Sequence, residues 1–185
     1  MQTLSIFIKY SLLSILFLTS CNKSESSYIP LQASAISNGI LISLHDASGK
    51  DLIQEMTQAN DISIYGKLSK KQLPYNVKKI KIQDTEYNYI SFASDLPDIK
   101  DLLFNADKTE ATGTSTVEIK FNGQTITLLC SYKYTTSKEL NVIGNSAIVI
   151  ESIECMDKII KRNNETIITH MILNFTLDNN KLTVN

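Results

Sequence analysis

The sequence has no tryptophan, only two histidines and only three cysteines among its 185 residues. The lack of tryptophan argues against a sugar-binding platform, although eight tyrosines partly offset this. Two histidines are too few for the common zinc triad without help from carboxylates. We therefore expect no metal and no cofactor.

Excess charge of one sign is also lacking. Residues 1–21 hold one lysine and no acid, so the rest of the chain has 17 basic and 19 acidic residues, a net charge of −2. Such a balance gives no general attraction to nucleic acid, and we expect no nucleic-acid partner.

No run long enough to cross a bilayer follows residue 21. The apolar run at the start, Tyr10–Leu18, comes after Lys9 and ends just before Cys21. Its length suits the core of an export signal and is too short for a membrane span. The alternative is an uncleaved N-terminal anchor with an incidental cysteine.

The sequence Leu18-Thr19-Ser20-Cys21 resembles the lipobox of bacterial lipoproteins. The resemblance implies that the Cys21 thiol receives a diacylglyceryl group and that signal peptidase II cuts between Ser20 and Cys21. Two or three acyl chains hold a protein stably on its membrane. Lys23 and Glu25 resemble the charged signal that sends some lipoproteins to the cell surface.

This resemblance implies a lipid-anchored protein of the cell envelope, on the outer membrane, facing the periplasm or the surface. We expect residues 1–20 to be the signal peptide and residues 21–34 to be the acylated cysteine and a flexible tether. Residues 35–185 are then a single domain, a size that permits a sizeable core.

Alternating apolar and polar residues run through most of this domain, as in Ile40–Leu44, Ile62–Ile64 and Ile90–Phe92. A period of two is the signal of β-strands, and no strongly helical segment appears. Many short strands separated by turns predict an all-β domain, an antiparallel β-sandwich of immunoglobulin-like or transthyretin-like type.

Two hairpins can be placed by their turn residues. Asn122-Gly123 predicts a two-residue turn, because type I′ turns need positive φ at both central positions. This turn pairs Phe121 with Gln124 and puts the following pairs on the same face: Ile119 with Ile126, Val117 with Leu128, and Ser115 with Cys130. The sequence Asp178-Asn179-Asn180 predicts one more turn, before a short final strand.

A further hairpin is predicted at Asn163-Asn164, with Arg162 opposite Glu165. Continued backwards, its register places Met156 opposite Met171 and Asp157 opposite His170. The Asp157–His170 pair resembles half of a Ser-His-Asp arrangement, so an envelope hydrolase is an alternative. No GxSxG turn accompanies it, and a simple cross-strand polar pair explains it as well.

The segment His45–Asp51 groups an imidazole, two carboxylates and a glycine. With Asp46 at position one, Thr57 stands at position twelve of an EF-hand, where glutamate is required, so the calcium pattern fails. We expect a strand end that turns through Gly49, with its acids in solvent. Asp46, Gly49 and Leu52 also resemble the strand-turn opening of transthyretin-like domains.

Cys130 and Cys155 remain after Cys21 is acylated. An exported protein meets an oxidising compartment, so a structural Cys130–Cys155 disulfide is predicted. The alternatives are two buried free cysteines, or a reactive thiol with His170.

Two local surfaces have the composition of binding sites. One is a lysine-rich segment with no acid between Ile62 and Gln83, which either faces an anionic partner or protects an edge strand. Its lysines are Lys67, Lys70, Lys71, Lys78, Lys79 and Lys81. The other surface is Tyr87 with Tyr89, predicted to be an exposed pair suited to glycan or peptide.

The sequence therefore predicts a binding or structural module rather than an enzyme, with the membrane and an envelope protein or glycan as partners. An inhibitor or assembly accessory that presents a sheet edge is a further alternative.

Overall fold

The computed structural model describes residues 27–82, 84–121, 123–136, 145–162 and 170–185. These residues form thirteen strands, one short α-helix and one 3-10 turn, Ile99–Asp101. In chain order the elements are β1 (Ala35–Ser37), β2 (Gly39–Asp46), α1 (Ile53–Gln58), β3 (Ile62–Gly66), β4 (Lys71–Gln72), β5 (Tyr75–Ile82), β6 (Thr85–Ala93), β7 (Leu103–Phe104), β8 (Glu110–Phe121), β9 (Gln124–Thr136), β10 (Ser146–Cys155), β11 (Lys158–Lys161), β12 (His170–Asp178) and β13 (Lys181–Val184).

The strands form two sheets, which confirms the predicted all-β class. The larger sheet has the order β1-β10-β9-β8-β3-β4, with β11 added on β10 and β7 added on β8. One of the two sheets curls into a half-barrel. The smaller sheet has the order β13-β12-β2-β6-β5. Two pairings are parallel, β1 with β10 and β12 with β2, so the sheets are not purely antiparallel.

One hydrophobic core lies between the two sheets. The larger sheet contributes Val117, Ile119 and Phe121, among others, and all three are buried. On the smaller sheet the rows of Ile40, Ile42 and Leu44 on β2, Ile90 and Phe92 on β6, and Met171, Leu173 and Phe175 on β12 face them. The rings of Phe121 and Phe175 meet across the sheets at 6.2 Å.

The predicted β8–β9 hairpin is confirmed. Phe121 pairs with Gln124, and the other pairs follow in the predicted register down to Ser115 opposite Cys130. Gly123 has φ +75°, the left-handed conformation that this turn requires. The last turn is confirmed as well, because Asp178 pairs with Lys181 and both intervening asparagines have positive φ.

The predicted pairing of Met156 with Met171 and of Asp157 with His170 is wrong. The strand turns earlier, at Met156-Asp157, where φ is +50° and +63°, and β11 folds back on β10. His170 opens β12 and pairs with Gly39 of β2. Residues 163–169, including the Asn163-Asn164 turn and Glu165, lie outside the described residues.

The domain begins earlier than predicted. The backbone N–H of Leu31 donates to the carbonyl of Pro97 at 3.0 Å, and the side chain of Leu31 is buried in the core. The Tyr28 hydroxyl donates to the carbonyl of Leu96 at 2.8 Å. The second half of the predicted tether is therefore part of the fold.

Candidate functional site

The second half of the lysine-rich segment forms β5 at the edge of the smaller sheet, whereas the first half, with Lys67, Lys70 and Lys71, belongs with β3 and β4 to the larger sheet. Strand β5 is the last strand in that sheet and pairs only with β6 among the described residues. Lys78, Lys79 and Lys81 are all exposed. The result agrees with the alternative that these lysines protect an edge strand.

Acids of the neighbouring strand and turn offset part of the lysine charge. Lys79 lies 3.4 Å from Glu86, and Lys81 lies 3.8 Å from Asp84. The described residues offer Lys78 no acidic partner within ion-pair distance. Lys78, which stands opposite Tyr89, is thus the lysine of β5 with no acid beside it among the described residues.

The exposed tyrosine pair is not found. Tyr89 is only 5 % exposed, and burial, followed by the effect of Tyr87, raises its pKa. Tyr87 is half-buried and meets the ring of His45 edge-on at 6.2 Å. Both tyrosines alternate with Ile90 and Phe92 and so lie on the opposite face of β6 from these core residues. Tyr89 is nevertheless covered on that face. A two-ring stacking platform is therefore absent here.

A cleft of about 410 Å³ opens beside the start of β5. It is lined by Ile36, Ser37, Asn38, Gly39, Pro74, Tyr75, Asn76, Ser91, Phe92, Ala93 and His170. These residues come from β1 and the β1–β2 connection, and from the ends of four strands of the smaller sheet, β2, β5, β6 and β12. We call this cleft the edge cleft. No sequence pattern predicted it, because its walls are distant in the chain.

Beside the phenol of Tyr75, the edge cleft holds the imidazole of His170. The imidazole lies so close over Gly39 that a Cβ at position 39 would collide with it, which explains the glycine there. Burial, and then the charges of Lys78 and Arg162, lower the pKa of His170. The imidazole is therefore neutral at neutral pH and serves as a hydrogen-bonding group.

A second cleft, of about 420 Å³, lies on the outer side of the larger sheet. It is lined by Lys133, Thr135, Val149, Glu151, Ser152, Lys161 and Arg162. The Arg162 guanidinium binds groups of the domain itself. Its Nε donates to the carbonyl of Ile150 at 2.7 Å, and its Nη2 donates to Ser37 Oγ at 3.0 Å. Lys133 in turn pairs with Glu110 at 3.1 Å.

Sequence reasoning missed a buried cluster of hydroxyl groups between the sheets. The Tyr132 hydroxyl donates to the carbonyl of Asp95 at 2.7 Å, and Ser115 Oγ donates to the same carbonyl at 2.8 Å. Ser94 Oγ lies 2.5 Å from the Tyr132 oxygen. All four residues are buried, so the cluster fixes the chain between the sheets and is closed to a substrate.

The segment His45–Asp51 forms the expected turn. Gly49 has φ +88°, and Asp46 Oδ1 accepts from the amides of Ser48 and Lys50. The hydrogen bond from the Ser48 hydroxyl has the largest effect, and together with the bonds from the two amides it lowers the pKa of Asp46. Asp51 departs from the expectation of a solvent-facing acid: one of its oxygens accepts from Ile53 N at the start of α1 and the other from Asn88 of β6.

Cys130 and Cys155 are both buried and both free, so the predicted disulfide is not formed. Cys130 stands opposite Ile153 on β10, and Cys155 is two residues further along that strand. Such diagonal neighbours have Cα atoms about 7–8 Å apart, beyond the span of a disulfide. Burial raises the pKa of Cys130 to about 12 and that of Cys155 to about 11, which is the opposite of a reactive thiol.

Cys21, the predicted lipid attachment, lies outside the described residues. The described part of the chain holds no helix long and apolar enough to cross a membrane. The same residues contain no group of three His, Cys, Asp or Glu side chains placed to hold a metal ion. No protein-family model, curated protein or solved structure matches the chain.

Proposed function

We propose that this chain is a membrane-anchored binding or structural module of the cell envelope. The proposal rests on the resemblance of Leu18-Thr19-Ser20-Cys21 to the lipobox. The resemblance implies two or three acyl chains on Cys21, which would hold the domain on the outer membrane, on its periplasmic or surface side. The finer architecture that fits the two sheets and single core is a β-sandwich of immunoglobulin-like or transthyretin-like type.

We infer that the binding surface is the free edge of β5, the side that does not pair with β6, together with the edge cleft. The observation that carries this inference is that β5 has eight residues, pairs on one side only among the described residues, and has the edge cleft beside its first residues. An edge strand offers a row of free backbone N–H and C=O groups. An extended segment of a partner protein can add to it as a further strand.

In this mode of recognition, backbone hydrogen bonds give affinity and pockets for side chains give specificity. The edge cleft has the position of such a pocket. Lys78 favours a partner segment that carries an acid, because Lys79 and Lys81 have acids nearby whereas Lys78 has none within ion-pair distance among the described residues. Tyr89 is buried, so a protein segment suits this surface better than a glycan stacked on two rings.

A hydrolase built on Asp157 and His170 is less well supported. Asp157 lies in the β10–β11 turn, whereas His170 opens β12 beside Gly39. The buried hydroxyl cluster offers no accessible nucleophile, because Ser94, Ser115 and Tyr132 are each at most 3 % exposed.

The anchor is tested by the substitution Cys21→Ala in the full-length chain. We expect the wild-type protein to incorporate labelled fatty acid and to lose residues 1–20, and the variant to do neither. Mass spectrometry of the mature protein reads both events. A mature wild-type protein that retains residues 1–20 would contradict the anchor.

The binding surface is tested by a photo-crosslinking residue in place of Val77, which is exposed on β5. The matched control carries the same residue at Ile159, which is more exposed and lies on β11 of the other sheet. Intact envelopes should give a discrete crosslinked band with position 77 and none with position 159. The same bands from both positions, or none from position 77, would exclude β5 as the contact.

A further inference from the structure

The chain enters the domain along a short ladder of backbone hydrogen bonds. Pro30 bridges to Asp98, and the amide of Ile99 donates to the carbonyl of Ile29 at 2.9 Å. Together with the bonds of Tyr28 and Leu31 to residues 96 and 97, this ladder fixes residues 28–31 against the segment that leads to β7. Residues 28–31 therefore have a fixed place on the domain.

Four large apolar side chains are exposed around this point of entry. They are Ile29, Ile99, Leu103 and Phe104, and we call them the entry corner. Leu103 is 75 % exposed, and the others are exposed by nearly half. Leu103 is four residues after Ile99, so the two Cα atoms lie within about 14 Å. A group of large exposed apolar side chains on a soluble domain marks a surface that contacts something apolar.

The charged groups of the entry corner are satisfied locally. The Asp98 carboxylate accepts from the amides of Ile29 and Lys100 and lies 3.4 Å from the Lys100 ammonium. The hydrogen bond from the Lys100 amide has the largest effect, and together with that from Ile29 it lowers the pKa of Asp98. The ion pair therefore persists at neutral pH. Asp101 adds an exposed acid, and the corner has no excess of positive charge to attract anionic lipid.

The length of chain between Cys21 and the domain identifies the occupant. Six residue steps separate Cys21 from Ser27, and they span at most about 20–22 Å. If Cys21 bears acyl chains in the bilayer, Ser27 is held within that distance of the lipid headgroups, and Ile29 of the entry corner follows two residues later. The far side of the domain has no such constraint.

We propose that the entry corner is a membrane-contact surface, which rests on the bilayer that holds the acyl chains of Cys21 and places Leu103 and Phe104 at the headgroup level. This proposal depends on the lipid anchor proposed above. It fixes the orientation of the domain. The end of the larger sheet where β8 begins, beside β7, then faces the membrane, and the β8–β9 turn at the other end of β8 points away from it.

The absence of tryptophan makes a direct test possible. Leu103→Trp introduces the only tryptophan in the chain, at the most exposed position of the entry corner. The matched control is Ile159→Trp, at a position 64 % exposed. Position 159 lies four strands away across the larger sheet and about 13 Å further along it.

Both variants are purified with their lipid anchor and reconstituted into phosphatidylethanolamine–phosphatidylglycerol vesicles with and without brominated acyl chains. We expect bromine to quench the fluorescence of the Leu103→Trp variant at least threefold more than that of the Ile159→Trp variant. Only the Leu103→Trp variant should show a blue-shifted emission. The difference should change little between low and high salt, because the contact is apolar. Equal quenching in the two variants would overturn the proposal, and would leave the corner to a protein partner.

The design separates this proposal from the anchor on which it rests. Flotation of the vesicles and the mass of the N-terminal peptide report the anchor. If the Leu103→Trp variant floats and carries lipid but its tryptophan is not quenched, the membrane contact alone is contradicted. Protein that neither floats nor carries lipid contradicts the anchor.

The double substitution Leu103→Ser, Phe104→Ser supplies a second test of the membrane contact. Trypsin should cleave the floated double variant after Lys100 at least threefold faster than the floated wild type, because the corner is no longer covered by lipid. Equal cleavage rates would contradict the contact.

Discussion

Tyr132 carries a hydroxyl group into the part of the molecule where the two sheets meet. The residue is 2 % exposed, and burial raises the pKa of its phenol well above the ordinary value. Its hydroxyl donates to the carbonyl of Asp95 and contacts Ser94, so it connects β9 with the segment that follows β6. A buried polar group of this kind stabilises only because it has partners.

Tyr132→Phe should lower the free energy of unfolding by about 1–2 kcal/mol, because it removes the hydroxyl that bonds the Asp95 carbonyl and Ser94, while Ser115 still serves that carbonyl. The control is Tyr134→Phe, on the same strand and the same face but only half-buried. It should change stability by less than about 0.5 kcal/mol. Urea denaturation followed by circular dichroism measures both, and equal losses would contradict the role given to the cluster.

The buried thiol of Cys130 makes stability depend on alkaline pH. Its pKa is raised from 9.0 to about 12 in the folded chain, so the folded state favours the protonated thiol. The contribution is fully present below pH 9 and is lost as the pH rises from 9 towards 12, since only the unfolded chain releases the proton there.

Cys130→Ala should therefore flatten the decline of stability between about pH 8 and pH 10 relative to the wild type. One pH unit above 9.0 the thiol contributes about 1.4 kcal/mol to the difference between the two proteins. Denaturation curves at each pH give the slopes. A parallel decline in both proteins, or fewer than two titratable thiols in denatured, unreduced chain lacking residues 1–21, would contradict this account.

At the scale of the element, the lysines of β5 protect an edge strand, and the proposed binding surface uses the same edge. Its lysines keep a long edge from pairing with copies of itself, because two such strands side by side bring like charges together. A partner segment that carries an acid escapes this repulsion. The lysines thus select against self-association without closing the edge.

Replacing Lys78, Lys79 and Lys81 together with Gln should make the protein self-associate at micromolar concentration, because the edge then lacks charge. The control replaces Lys50, Lys108 and Lys120 with Gln, which removes equal charge from exposed positions off the edge strands. Sedimentation velocity should show oligomers for the first variant and a profile like that of the wild type for the second. If the β5 variant stays unassociated but loses a salt-sensitive association with anionic vesicles, the lysines serve as an anion-binding surface instead.

At the scale of the whole molecule, stability comes from one core that the two sheets share. Phe121 at the end of β8 and Phe175 on β12 are fully buried against each other. Phe121 also pairs with Ile62 and Gln124 within its own sheet. A cavity left by removing the Phe121 ring would lie between the two sheets, so side-chain movements within one sheet would not fill it.

Phe121→Ala should therefore lower the free energy of unfolding by about 3–5 kcal/mol. Ile159→Ala, at a position with most of its surface in solvent, should change it by less than about 0.5 kcal/mol. Because both sheets share the core, we expect the whole unfolding transition to shift in a single step. A two-phase transition would contradict a single cooperative unit.

The sequence by itself determined the all-β class and the β8–β9 hairpin. Period-two alternation reports which face of a strand is apolar, and Asn122-Gly123 restricts the turn to one register. It also determined the lysine-rich strand and the turn at Gly49. These features depend on residues close together in the chain, where backbone conformation and side-chain alternation act directly.

Tertiary structure alone decided the partners of strands and the surroundings of side chains. A hairpin register counted back from Asn163-Asn164 pairs Asp157 with His170. The chain turns instead at Met156-Asp157, and β12 pairs with β2. Cys130 and Cys155 share a face yet stand diagonally, so no disulfide forms. Tyr89 points outward and is still buried. Such outcomes depend on contacts between residues far apart in sequence, which local patterns do not encode.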